Sequence, residues 1–256
     1  MAYEEAEARR LVIEAGKKLL EAKLVARTWG NVSARISDSE FIITPSGRAY
    51  ETLKEEELVK VKIADLSYEG NIKPSSEKGI HAGAYAQRPD VNFVIHTHQL
   101  YASAVCAEGK DTAIAPCAAY GLPGTKKLKQ NVLSAISKNM DKNCFLMARH
   151  GALCLGSSME DAFGEANLLE QKCFEIVKNN SVEKDERIYR KPWLDDYAQL
   201  IGRGDGSDSD DKEAAELIKE KNKTAAKYIK EGKPLSFFDA LLQRTVYLYK
   251  YSKLKK

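Results

Sequence analysis

The chain has 256 residues, 43% of them apolar and 30% charged, which is enough to bury a sizeable core without disulfides or a structural metal. Forty basic against 37 acidic residues leave a net charge of +3, too even a balance for a dedicated nucleic-acid binder. Collagen, coiled-coil rods and disordered tails are excluded by the same composition. Residues 4–23 carry Leu11, Ala15, Leu19 and Ala22 at helical spacing and predict an amphipathic helix. Gly30-Asn31 breaks from it. Two β-rich runs, 32–36 and 40–44, are separated by Ser37-Asp38-Ser39 and read as a hairpin. A further strand is expected over 58–63. Pro74-Ser75-Ser76-Glu77 is a helix start, with a serine as cap and the helix ending before Pro89. The apolar run 92–98 is the next strand and 99–108 a helix. Helices at 126–140 and 158–179 flank a strand at 144–148.

From 181 onwards the character changes. An acidic Gly/Ser segment, 205–211, precedes two expected helices at 212–231 and 235–252. The pattern is that of a mixed α/β layered body over 1–180 with a helical C-terminal extension over 181–256. The five cysteines are an odd number, widely spaced and without a C-x-x-C pair, as in a reducing compartment. The opening Met-Ala-Tyr-Glu-Glu lacks the basic and then apolar pattern of a secretory signal, and no apolar run approaches ~20 residues. A cytoplasmic protein with no membrane association is expected.

Only four histidines occur: His81, His96, His98 and His150. Strand side chains alternate faces, so His96-Thr97-His98 at a strand end aims two imidazoles the same way, with Val94, while Phe93, Ile95 and Thr97 take the other face. His150 follows the next apolar strand. If that strand ends at the same sheet edge, it supplies a third nitrogen for a divalent first-row metal, and three protein ligands leave open positions for catalysis. Glu77, at the start of the preceding helix, is the candidate general base, with His81 four residues on along the same helix face. Three clusters suit an anion: Thr28-Trp29-Gly30-Asn31, Thr44-Pro45-Ser46-Gly47 and Ser75-Ser76. With the metal set they point to a small phosphorylated substrate.

In this order, with Pro116-Cys117-Ala118-Ala119-Tyr120 and His150-Gly151 added, the motifs over about residues 5–180 resemble the class II aldolase/adducin family, whose members include fuculose-phosphate aldolases and pentulose-phosphate 4-epimerases. The resemblance implies a three-layer α/β/α fold with a central mixed, largely antiparallel sheet. It also implies a homotetramer with active sites at subunit interfaces. His96, His98 and His150 would bind zinc, or manganese as in some members. Glu77 would be the acid/base group, and Thr28, Gly30, Asn31, Ser46, Gly47, Ser75 and Ser76 would hold the substrate phosphate. Tyr120 matches a tyrosine that donates a proton in a neighbouring subunit's site. A second tyrosine from the tail could be Tyr247, Tyr249 or Tyr251. Trp29 is the epimerase-like form of its motif, whereas Glu77 is the aldolase-like form of its own. The expected activity is therefore aldol cleavage of a ketose phosphate to dihydroxyacetone phosphate and an aldehyde. A 4-epimerase, a sugar-phosphate dehydratase or a non-catalytic adducin-like binding module are the alternatives.

Overall fold

The computed structural model describes residues 2–25, 29–106, 109, 111–121 and 123–179. The extension 181–256, its two expected helices and its tyrosines lie outside them, as does Thr28. Among the described residues five α-helices and seven strands run in the order α1 (Glu5–Glu21), β1 (Asn31–Arg35), β2 (Glu40–Ile43), β3 (Val59–Lys62), α2 (Lys78–Gln87), β4 (Phe93–Thr97), α3 (Leu100–Cys106), β5 (Cys117–Ala118), α4 (Lys126–Lys138), β6 (Cys144–Met147), β7 (Gly151–Gly156) and α5 (Met159–Asn179). The strands form one sheet in the order β3-β2-β1-β4-β7-β6-β5. Every pairing is antiparallel except β5 with β6.

The alternation of side chains splits the core into two halves. Val32, Ala34, Phe93, Ile95, Ala152 and Cys154 face one way and pack with α1 and α5 residues such as Val12, Leu19, Ala166 and Leu169. Phe41, Ile43, Val94, Phe145 and Leu153 face the other way, against Ile80 and Tyr85 of α2 and Leu128, Val132 and Ile136 of α4. This is the expected three-layer α/β/α arrangement with a mixed, largely antiparallel sheet. All five cysteines are free thiols. No described helix is long and apolar enough to cross a membrane.

Two strands depart from the expected set. β7 is absent from the strands that the sequence pattern predicts. It forms a hairpin with β6 and it, not β6, is the direct neighbour of β4. Its run Gly-Ala-Leu-Cys-Leu-Gly shows no polar alternation, because a central strand is covered on both faces. β5 has only two residues. The start of α2 also differs. The Ser75 hydroxyl accepts from the Glu77 backbone N–H at 3.2 Å, one residue ahead of the helix, and Glu77 itself occupies the cap position without a side-chain capping bond. The Glu77 carboxylate is thereby left to turn inward.

Candidate metal centre and acid/base site

The site forms where β4 ends, β7 begins and β1 begins. Antiparallel register sets Asn31 of β1 opposite His96 of β4, and Thr97 opposite Ala152 of β7. His98 follows β4 by one residue. His150 lies in the short β6–β7 turn, where its N–H donates to the Met147 carbonyl at 3.0 Å. Arg149 adopts φ 58 in that turn, a left-handed conformation that costs a non-glycine residue on the order of 1 kcal/mol or more. The third histidine thus opens β7, rather than merely closing β6 as its place after residues 144–148 suggests.

One ligand-type nitrogen from each of His96, His98 and His150 falls within 4.8 Å of the others, and all three residues are buried. The Nε2 atoms of His96 and His98 are 3.0 Å apart. The Glu77 carboxylate, 7% exposed, spans the group: Oε2 is 3.2 Å from His96 Nε2 and Oε1 is 3.3 Å from His150 Nε2. Trp29 flanks the cluster, its ring 6.0 Å from that of His98.

The hydrogen bonds show what this donor set can hold. His96 Nδ1 lies 2.8 Å from the Ala152 carbonyl. A carbonyl only accepts, so Nδ1 carries the hydrogen and, in the neutral ring, Nε2 presents a lone pair. That lone pair faces a carboxylate oxygen and a second imidazole. Acceptors crowded this closely in a buried pocket suit a divalent cation among them. Two glycines let the strand ends close up. Gly30 has φ 86, and a Cβ there would sit 2.6 Å from the His96 carbonyl oxygen; a Cβ on Gly151 would strike the Thr97 carbonyl.

The expected anion-binding residues are distributed unevenly. Ser46 N–H donates to the Lys73 carbonyl at 2.9 Å and Ser75 N–H to the Thr44 carbonyl at 3.1 Å, with Pro45 and Pro74 paired as a bridge. The turn bearing Ser46 and Gly47 therefore runs alongside the one bearing Ser75 and Ser76. Ser46, Gly47 and Ser76 are exposed and Ser75 is buried. Gly47, at φ 71, has open space around it. Asn31 is placed differently. Its Nδ2 donates to Glu77 Oε2 at 3.2 Å and its Oδ1 bonds His81 Nε2, so both ends of the amide are committed inside the protein. Tyr120 follows β5, with the Arg149 guanidinium 5.9 Å from its ring centre and its carbonyl accepting from Asn131 at 2.9 Å.

Beyond Asn31 lies His81, expected on the Glu77 face of its helix, and with it Ser33 and Tyr85, to which the sequence assigns no site role. His81 Nδ1 is 2.7 Å from the Ser33 hydroxyl, which is 2.7 Å from the Tyr85 hydroxyl. A signal existed in the sequence: β1 reads Asn-Val-Ser-Ala-Arg, polar at every second position in a strand that is buried throughout. Burial is the chief cause that drives His81 down to about 3; a charge on His96 would push the same way and Glu77 opposes it. His81 is therefore neutral in the fold but protonates near 6.5 once unfolded. The unfolded state takes up the extra proton, so this group's stability is complete above about pH 6.5 and is lost as pH falls towards about 3. The contribution is up to about 1.4 kcal/mol per pH unit. Urea midpoints measured from pH 7.5 to 4.5 should fall more steeply for the native protein than for His81→Gln. Parallel slopes would assign the acid sensitivity to other groups.

Residues 10–176 match the model of the class II aldolase and adducin N-terminal domain. An L-fuculose phosphate aldolase of Methanocaldococcus jannaschii is 29% identical over 182 residues, spanning 66% of this chain and 94% of that protein. A 5-deoxy-D-ribulose 1-phosphate aldolase of Bacillus thuringiensis serovar kurstaki is 30% identical over 174 residues, 63% of this chain and 80% of that one. A solved L-fuculose 1-phosphate aldolase superposes with a TM-score of 0.61 at 29% identity, covering 68% of this chain and 87% of its own. A match over residues 10–176, in sequence and in fold, places the chain in the class II aldolase/adducin family, among its metal-dependent aldolases of the lyase class.

Proposed function

We propose that the chain cleaves and forms a carbon–carbon bond in a ketose phosphate, with dihydroxyacetone phosphate and an aldehyde as the products of cleavage. The observation that carries this reading is the convergence of His96, His98 and His150 within 4.8 Å, bridged by the Glu77 carboxylate. The three imidazoles would hold a zinc or manganese ion, or another divalent first-row metal, which when bound polarises the substrate carbonyl and offsets the negative charge left by bond cleavage. Glu77 then has the proton work: it delivers a proton to the electron-rich carbon in cleavage and removes it in synthesis. Burial beside the histidines sets its carboxylate against the side chains that would hold the metal.

Gly30, Ser46, Gly47, Ser75 and Ser76 form the proposed phosphate cradle, with Thr28 added from outside the described residues. The two adjoining turns at 46–47 and 75–76 bring serine hydroxyls side by side, while the Ser46 and Ser75 amides are spent on pairing the turns. Binding energy from a phosphate held there fixes the reacting carbons over Glu77. Asn31 enters this reading as the Glu77 partner that its contacts make it. Tyr120, in a homotetramer with sites at subunit interfaces, would take the hydroxyl proton from the oxygen that becomes the aldehyde in cleavage and return it in synthesis. Likeness to the L-fuculose phosphate and 5-deoxy-D-ribulose 1-phosphate aldolases favours fuculose 1-phosphate and 5-deoxyribulose 1-phosphate as first substrates to try. A panel of ketose 1-phosphates and pentulose 5-phosphates, scored for released dihydroxyacetone phosphate and for epimerised sugar, tests the proposal. Triose phosphate release from a ketose 1-phosphate is expected; epimer without release would replace the aldolase reading by an epimerase.

A further inference from the structure

Glu77, Asn31, His81, Ser33 and Tyr85 form one continuous buried chain of hydrogen bonds. Its direction follows from the chemistry of one end. An ionised carboxylate only accepts, so Asn31 must turn its NH2 towards Glu77 and its oxygen towards His81. That oxygen needs a donor, so His81 carries its hydrogen on Nε2. A neutral imidazole has one such hydrogen, which makes Nδ1 an acceptor and Ser33 the donor to it. The single hydroxyl hydrogen of Ser33 is then committed, and Tyr85 must donate to Ser33. Each group has one role left to it once the group before it is fixed. The neutrality of His81 and the strongly raised hydroxyl of Tyr85, both caused by burial, agree with those roles.

From this ordering we infer that His81, Ser33 and Tyr85 are positioning residues for the acid/base carboxylate: they hold the Asn31 amide in the single orientation that donates to Glu77. The inference rests on the proposed acid/base role of Glu77. The carboxylate fixes the amide from one side and His81 from the other, and a side chain without a donor at position 81 would leave the Asn31 oxygen unpaired and free the amide to turn over. Reversal would set its oxygen against the carboxylate, and the repulsion would push Glu77 from its place. His81 and Tyr85 are one helical turn apart on α2, and Ser33 and Asn31 are two residues apart on β1, so helix and strand each present the two groups on one face. Arg35, next on the same strand face, anchors the far end by donating to the Tyr85 and Arg88 carbonyls at 2.6 and 3.0 Å.

The test compares His81→Leu, His81→Gln and Ser33→Ala with the native enzyme, using the ketose phosphate that the panel identifies. Glutamine places an amide N–H where the imidazole Nε2–H was, whereas leucine offers no donor. For His81→Leu, kcat should fall about 10- to 100-fold with KM changed less than about threefold, the scale of loss when a reacting group is misplaced. His81→Gln should recover most of it, and Ser33→Ala should fall between. Leucine equal to native, or glutamine no better than leucine, would overturn the inference. Nitrogen-15 NMR of the histidine rings in the native protein, zinc added, supplies a readout that needs neither activity nor stable variants. His81 must show hydrogen on Nε2 near neutral pH, and hydrogen on Nδ1 would overturn the chain. Failure of the acid/base reading would show separately, as proton exchange surviving in Glu77→Gln while His81 keeps its Nε2 hydrogen.

Discussion

Stripping the protein with a strong chelator should abolish aldol cleavage, by about 10³-fold or more, and adding zinc or manganese should restore it. The expectation follows from where the donor atoms lie. His96 holds its hydrogen on the side of the Ala152 carbonyl, and its other nitrogen faces His98 at 3.0 Å and Glu77 at 3.2 Å. His150 closes the group through Glu77 at 3.3 Å. Removing a single ligand should act in the same direction. His98→Ala should lower metal content, read by elemental analysis of dialysed protein, and activity should return only at raised metal concentration. His98 sits just past the end of β4, so the sheet ladder is untouched by this change. Full activity in metal-free protein would sink the metal role outright. Retention of metal with activity lost in His98→Ala would instead place the ion elsewhere.

Much of this site was readable because histidine is scarce here. Four in the chain, two of them in an H-x-H at a strand end, leave few ways to build a nitrogen cluster. The two anion-type turns were legible as glycine, proline and serine punctuation, but their adjacency was not, since it depends on the pairing of Pro45 with Pro74 across 28 intervening positions of chain. Strand assignment worked where apolar and polar residues alternate, as in Val59–Lys62, and where β-branched and aromatic residues are dense, as in Phe93–Thr97. It failed at Gly151–Gly156, which is buried along its length and bounded by glycines, so it carries neither period. That omission matters to function, because β7 is the strand that brings His150 beside His96. The Asn31–Glu77 bond was hidden for a similar reason. Asparagine beside Gly30 reads as a turn residue, and only the register of β1 against β4 shows that it faces the carboxylate.

Glu77→Gln should leave the fold and the metal in place and reduce turnover by about 10³- to 10⁴-fold, at the upper end of what a positioned acid/base contributes. Glutamine has the same shape, so the apolar packing is unchanged. Its polar contacts are not equivalent. The Asn31 NH2 needs an acceptor, which forces the new amide oxygen to take the place of Oε2 and sends the amide nitrogen towards His150 Nε2. In that pose the side chain still bonds Asn31, so the chain through His81 keeps its direction. What it has lost is a group that can take up and return a proton. The partial reaction isolates this loss: with dihydroxyacetone phosphate alone in heavy water, the native enzyme should wash deuterium into the carbon next to the carbonyl, and Glu77→Gln should not, although both bind zinc equally. Exchange at the native rate in the variant would remove Glu77 from the proton-transfer role and pass it to another group near the ion. Loss of zinc along with exchange would mean that the carboxylate serves first as a ligand. Because stability, metal content and exchange are measured on the same sample, these three outcomes separate cleanly, and only the pattern of retained zinc and absent exchange agrees with the carboxylate acting on substrate carbon.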